Sequence, residues 1–436
     1  MGGGLMQLVA YGAQDIYLTG QPQITFFKSV YRRHTNFSCE SIEQTINGQI
    51  GSGKRVTVTL ARNGDLVTDV HLSYKPAAIG NEHPTALSGL YAYFHMLANV
   101  ELEIGGQLID RIYPDWMKTW ASLTMGKSGS TTVASVLNTD TLQATMQGKG
   151  TGLTNAAVRE RAQLPLLFYF WHNPGLAIPL IALQYHDVKI ILELAGSRQA
   201  VTNTTTRGTS SVDMFARFVE SNDLKVYADY AYLDTTERRK FAQNAHEYLI
   251  CQHQQVSQTV DATLDNLEIN LNFNHPVKYL TWQVANLSYF SYAANASSPT
   301  GVFNDASTPY DTAKVVLNGT DRFAEQKQTY FNSLQVYRHW PTSDWWHATA
   351  GVTGLDLAKG HLPLAPAVYS FALRPAEHQP SGTCNFSRID NAQLFLTGVK
   401  TADSTDAPLG YELRVNAENY NVLRIMSGMG GLAYSN

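Results

Sequence analysis

The sequence predicts an all-β protein built as two consecutive β-sandwiches. Two observations carry that prediction. Apolar and polar residues alternate with period two through most of the readable segments, and three strand-and-turn signatures recur in the same order about 210 residues further on. Successive side chains of a strand point to opposite faces, so this alternation marks one dry face and one wet face.

In chain order, residues 1–25 show no alternation and are rich in Gly, Gln and aliphatics; they are expected to form an N-terminal arm whose path its partners choose. Val56, Val58 and Leu60 alternate with threonines, and Val100, Leu102 and Ile104 with Glu101 and Glu103. The segment YPDWMKTWASL predicts a helix, with Pro114 in its first turn and Trp116, Trp120 and Leu123 at i, i+4 and i+7. The apolar run Leu164 to Leu183 is broken by His172, Asn173, Pro174 and Pro179. A bilayer span needs about 20 residues with little polar interruption, so this run predicts a buried strand-turn-strand. Leu267, Ile269, Leu271 and Phe273 alternate again, and a second helix is predicted after Asp321, in DRFAEQKQTYFNSL. Turn pairs punctuate the strands at Asn47-Gly48, Asn63-Gly64, Gly105-Gly106, Pro174-Gly175, Asn318-Gly319 and Ser381-Gly382.

The repeat divides the chain. VELEIGGQLID followed by a helix is echoed by KVVLNGTDRF followed by a helix. The strand around Asp69-Val70 is echoed by KYLTWQV, and LFYFWHNPG…QYHDVKIILEL by YSFALRPAEHQPSG…RIDNAQLFL. Residues 26–218 and 226–436 are therefore read as the two sandwiches, joined by a polar linker at 219–225.

A length of 436 residues suits two domains of about 200 each. Charged residues make up 16%, below the usual quarter, which fits a surface partly covered by other subunits. A net charge of −4 and basic runs no longer than Arg32-Arg33 or Arg238-Arg239 argue against a nucleic-acid-binding face. Cys39, Cys251 and Cys384 stand far apart, as in a reducing compartment. MGGGLMQLVAYG lacks the charged and apolar regions of a signal peptide, so a soluble, cytoplasmic chain is expected.

Familiar catalytic patterns fail on inspection. GQIGSGKR (Gly48 to Arg55) matches a phosphate-binding loop until Arg55, where Ser or Thr should hold magnesium, and it lies between two predicted strands rather than before a helix. HEYLI (His246 to Ile250) has Ile250 where a zinc-protease helix needs a second histidine. His186-Asp187 is expected to satisfy turn backbone, and Ser381-Gly382 lacks the nucleophile-elbow frame. The thirteen histidines show no metal spacing and no paired carboxylates stand out. No catalytic, cofactor or metal residue is assigned, and the chain is not expected to be an enzyme.

The run GGLMQLVAYGAQDIYLTGQPQITFFKSVYRRHTNFSCESIEQTING resembles the chlorovirus-type major capsid proteins of large icosahedral DNA viruses. So do ARNGDLVTDV, VELEIGGQLID, PGLAIPLIALQYHDVK, LNFNHPVKYLTW, LNGTDRFA, PSGTCNFSRIDNA and NYNVLRIMSGMGGLAY, and together these blocks span the chain. The resemblance implies a double jelly roll, two consecutive eight-stranded sandwiches with short helices in their loops. It implies a structural subunit that forms homotrimeric, pseudo-hexagonal capsomers tiling an icosahedral shell. The implied partners are other copies, neighbouring capsomers and minor capsid proteins, with covalent glycans, no direct nucleic-acid contact and only an indirect relation to an internal membrane. The implied location is the virion, assembled in host cytoplasm. Residues 127–155, rich in Ser, Thr and Gly, and Arg338 to Pro366 depart from the family pattern. They leave open a minor paralogue at special lattice positions. A carbohydrate-binding jelly roll, working as a monomer or small oligomer, is the rival from another class.

Six N-x-S/T sequons occur, at Asn36, Asn203, Asn286, Asn295, Asn318 and Asn385. The resemblance implies glycosylation by viral enzymes, largely outside such sequons. Asn295, in AANASSPTG, lies in the stretch matching a glycan-bearing loop of the family, and Asn286 and Asn203 are the further candidates. Asn318 and Asn385 are expected in structural turns. The tryptophans of WPTSDWWHATAG (Trp340 to Gly351) are expected to be buried in a loop or against a neighbouring chain rather than stacked on sugar.

Overall fold

The alternating segments form strands in the computed structural model, which describes residues 3–76, 92–124, 161–171, 173–201, 209–260, 265–286, 290–295, 298–303, 310–340, 367–399 and 411–434. The chain divides into two units, Met1–Asn36 and Phe37–Asn436. The first unit holds two short helices, Gly3–Val9 and Ile16–Thr19, neither with a buried side chain. It reaches 11 residues beyond the arm expected from the sequence, which ended at residue 25.

The second unit opens with a sandwich of eight main strands: β1 (Phe37–Gln44), β2 (Arg55–Thr59), β3 (Leu66–Pro76), β4 (Leu97–Ile104), β5 (Gln107–Ile112), β6 (Ala162–Pro165), β7 (Val188–Leu194) and β8 (Val219–Leu233). Helix α1 (Pro114–Thr124) follows β5, as its i, i+4, i+7 spacing predicts. One sheet runs β1-β8-β3-β6, and the other runs from Ile46–Asn47 through β2-β7-β4-β5. Alternation decides which residues fill the space between: Val56 and Val58 are fully buried while Thr57 and Thr59 keep partial contact with solvent.

Helix α2 (Thr235–Gln243) leads to the second sandwich. Its strands are β9 (His246–Val260), β10 (Leu267–Asn270), β11 (Pro276–Asn286), β12 (Thr312–Leu317), β13 (Ala367–Ser370), β14 (Ala392–Thr397), β15 (Tyr411–Met426) and β16 (Met429–Leu432). The orders are β9-β15-β11-β13 and β10-β14-β12, continued by Thr320–Asp321. Place for place these repeat the first sandwich, with β4 and β12 in the same position, as the repeat predicts. Both are followed by a tight hairpin. Gly105 and Gly106 (φ +59° and +85°) close one, Asn318 and Gly319 (φ +49° and +75°) the other, the left-handed pairs that match strand twist.

Three expectations change. The polar stretch 219–225 is not a linker: it lies within β8, whose Val219, Leu224 and Val226 sit in the first core. Between them Ser221 and Asn222 (φ +52° and +59°) bulge out of register, so their polarity reflects a bulge on a continuing strand. The first sandwich therefore runs to Leu233, beyond residue 218, and α2 makes the passage. The second helix starts later than DRFAEQKQTYFNSL suggested. Asp321 and Gln326–Lys327 pair with β12, and the helix begins as a π turn at Tyr330–Leu334 and continues as α3 (Gln335–His339). Most described residues of the run from Leu164 to Leu183 are buried, as expected, with Pro174 and Gly175 exposed at a 3₁₀ turn, yet between β6 and the two-residue strand Ile178–Pro179 the run forms no strand.

Candidate functional site

The sequence candidates scatter. Asn295 ends strand Phe290–Asn295 opposite Ser298, and Asn286 ends β11 opposite Tyr411. Asn203 lies outside the described residues. Asn36 is exposed in the first unit. Asn318 accepts hydrogen bonds from the backbone N–H of Asp390 and Asn391, and Asn385 caps a 3₁₀ turn by accepting from Ser387 N–H. Both serve turns, as expected. Trp340 is buried, edge-on to Tyr279 with ring centroids 5.2 Å apart; the rest of its loop and residues 127–155 lie outside the described residues.

The near-motifs have structural occupations. The Gly48 to Arg55 segment closes the hairpin between Ile46–Asn47 and β2, and Arg55 pairs with Glu101 at 2.8 Å. His246 to Ile250 opens strand β9, a geometry that cannot place two histidines on one helical face. His186 Nδ1 meets the backbone of Gly430, and a Cβ on Gly105 would sit 2.2 Å from that same nitrogen. Gly105 is thus fixed both by its φ and by the imidazole beside it.

What the structure does assemble is a seam between the sandwiches. Gln252 and His253 of β9 reach the end of β5: His253 N–H donates to Asp110 Oδ1 at 2.9 Å, and His253 Nδ1 meets Asp110 Oδ2 at 2.8 Å. The His253 ring also lies 3.7 Å from Trp116 of α1. Arg414 of β15 donates to Asp115 of α1 at 2.6 Å and holds Glu412 as well. Leu123 of α1 packs with Tyr279, Val336, Trp340 and Val368 of the second sandwich. Ile250, Leu423 and Ile425 belong to the first core, although β9 and β15 belong to the second sandwich. Buried charges survive only when paired, so each contact fixes a relative orientation of the sandwiches.

Two further polar groups sit at equivalent places in the repeat. In the second sandwich a bulge at Lys278 lets two consecutive residues reach Glu418: Lys278 Nζ at 2.8 Å and Tyr279 OH at 2.5 Å. Burial alone would raise the Glu418 carboxyl, but Lys278, then His253, outweigh it and hold it at about 2. In the first sandwich the bulge is at Thr68, and Asp69 of β3 faces Asp229 of β8 directly, with His71 two residues on. Burial first, then Asp229, pushes the Asp69 carboxyl up to about 7, while burial lowers His71. Neither group was visible in the sequence as a site. The available signal was a charge inside an apolar strand, as in VKYLTW, and its partner lies 140 residues away.

Residues 25–234 match the family described as the major capsid protein N-terminus. Residues 237–344 and 359–431 match the large eukaryotic DNA virus major capsid protein. The two matches meet beside α2, where the structure also changes sandwich. The chain is 43% identical to the major capsid protein of Paramecium bursaria Chlorella virus 1 and 46% identical to that of Pyramimonas orientalis virus, each over all of both chains. Among solved structures it is similar to the PBCV-1 virus capsid at a TM-score of 0.69 and 38% identity, covering 94% of this chain and 100% of that one. With matching sequence along its length and two sandwiches of one topology, the chain belongs to the major capsid proteins of large eukaryotic DNA viruses.

Proposed function

We propose that this structural subunit of the virion closes into a homotrimer, and that the trimer is the pseudo-hexagonal unit of an icosahedral lattice. The observation that carries the reading is the identical sheet order of the two sandwiches held at one buried seam. Three copies of such a chain present six similar walls, so threefold closure suits a lattice point with six neighbours. Residues 1–36 support a second contact class. Leu8, Tyr17, Phe26 and Phe27 are 79%, 91%, 89% and 97% exposed, an apolar surface that a partner protein of the shell would cover. In this reading the chain performs no catalysis and takes no direct part in nucleic-acid binding. Assembly takes place in host cytoplasm, with the arm lying against neighbouring capsomers and minor capsid proteins beneath the shell.

Light scattering of the purified full-length chain tests the trimer. A trimer at micromolar concentration is the expected outcome; a monomer defeats the reading. Deleting residues 2–25 is expected to leave the trimer whole and weaken its association into larger arrays. A truncated chain that falls to monomer would remove only the arm's assignment.

Glycans, in the same reading, are carried on outward loops, with Asn295 first and Asn286 and Asn203 after it. The support for Asn295 is its place at a strand end, opposite Ser298. Peptide mapping of virion-derived protein should find added hexose mass on the peptide spanning Asn295. A fully unmodified peptide rejects that site.

A further inference from the structure

The two sandwiches treat the same buried position differently. In the second, the carboxylate of Glu418 on β15 is met by the ammonium of Lys278 at the bulge of β11. In the first, the equivalent carboxylate is Asp229 on β8, and the bulge residue of β3 is Thr68, whose hydroxyl donates to the Asp229 backbone carbonyl. The residue facing Asp229 is a second carboxylate, Asp69. Like charges directly opposite one another across a ladder are destabilising. One oxygen of each, Asp69 Oδ1 and Asp229 Oδ1, is fully buried with no hydrogen-bond partner. Among the described residues neither carboxylate has a Lys or Arg ion pair. One half of the repeat thus shows a cation at this place, and the other half shows two orphaned carboxylate oxygens.

What the first sandwich adds is an imidazole. His71 lies on the same outward row of β3 as Asp69, stacked on Tyr227 at 5.6 Å with 11° between the planes. One ligand atom from each of Asp69, His71 and Asp229 lies within 4.8 Å of the other two, close enough to share one ion. We propose that Asp69, His71 and Asp229 bind a divalent transition-metal ion of the zinc type on the outer face of the first sandwich. The donor set selects the class. Calcium and magnesium prefer oxygen alone, calcium with six to eight ligands, whereas an imidazole with two carboxylates suits zinc and leaves a position for water. The ion takes the part that Lys278 takes in the other half: it neutralises the facing carboxylates and ties β3 to β8. Alternation alone puts Asp69 and His71 on one face of β3, and the register that places Asp229 opposite Asp69 brings the third ligand beside them.

The test uses the full-length chain, stripped with EDTA and then freed of chelator, with Zn²⁺ and Co²⁺ as probes. Calorimetry is expected to show one Zn²⁺ per chain, and the melting temperature is expected to rise by several degrees at a zinc concentration about 100-fold above Kd. Bound Co²⁺ should give visible d–d absorption without a thiolate charge-transfer band, which separates this site from the three cysteines. Asp229→Asn and His71→Ala should each abolish the zinc-dependent rise. Without metal, Asp229→Asn should melt at or above the wild-type temperature, because it removes a facing charge, so its loss of zinc response cannot be misfolding. Equal zinc response in wild type and both variants would overturn the proposal, as would Mg²⁺ or Ca²⁺ matching zinc. Absence of binding at tens of micromolar zinc, with wild-type stability simply falling as pH rises from 5 to 8, would show that the carboxylates share a proton instead.

Discussion

Replacing Lys278 with methionine should cost about 3–5 kcal/mol, because it leaves Glu418 charged, buried and without its cation. The sign of the pH dependence follows from the same pair. In the wild type Glu418 is held at about 2, below its ordinary value, so its contribution is present above pH 4.5 and is lost as the pH falls toward 2. In Lys278→Met the His253 charge and the Tyr279 hydroxyl still favour the carboxylate, but burial, the largest influence, favours the neutral acid and has lost its main opponent. The deficit should therefore be largest at pH 8 and shrink as the pH falls toward 5. Urea unfolding of the full chain at both values checks this. The double variant Lys278→Met/Glu418→Leu should recover at least half of the loss, because an apolar pair of similar volume tolerates the site better than a lone charge. A single variant within about 1 kcal/mol of wild type at pH 8 would show that the pair lies open to water.

Trp282→Ala should be about as damaging, at about 3–5 kcal/mol, through a different mechanism. Trp282 is 1% exposed at the centre of the second core, edge-on to Phe331 at 5.0 Å, and its indole N–H donates to Tyr310 OH at 3.1 Å. Truncation leaves a cavity that a close-packed sandwich cannot collapse, and it strips the buried Tyr310 hydroxyl of its donor. Trp282→Phe keeps most of the packing and should lose less than half as much. Calorimetric melting of the three proteins tests the order. An alanine variant as stable as the phenylalanine variant would mean that the core closes around the gap.

The division between what the sequence revealed and what it hid follows the range of the forces involved. Val56 and Val58, or Leu267 and Ile269, declare their strands locally, since alternation needs only neighbouring residues. Gly105-Gly106 and Asn318-Gly319 declare their hairpins for the same reason, and hence the repeat. Ser221 and Asn222 misled because a bulge and a linker share a composition; only pairing to β3 tells them apart. The π turn at Tyr330 was misplaced because Gln326–Lys327 pairs with Thr312–Ala313, a distant contact that overrides helical propensity. The polar centres were hidden by distance. Asp110 and His253 lie 143 residues apart in sequence, and Asp69 meets Asp229 only through strand register. The resemblance supplied eight strands and a jelly-roll path, which alternation alone could not order.

Strands β9 and β15 pair along their whole length, His246 with Ile425 through Val260 with Tyr411, a ribbon about 50 Å long. Its near end delivers Ile250, Leu423 and Ile425 into the first core. A ribosome makes those residues after every strand of the first sandwich, and at about 5–20 residues per second Leu423 follows Leu233 by roughly 10–40 seconds. During that interval the first sandwich lacks Leu423 and Ile425, and the β15 partner that seats Ile250, so it cannot settle into its final packing. A chain broken off before Leu423 would leave that end of the first core unfilled. The ribbon thereby ties the sealing of the first half to a strand made almost 200 residues later.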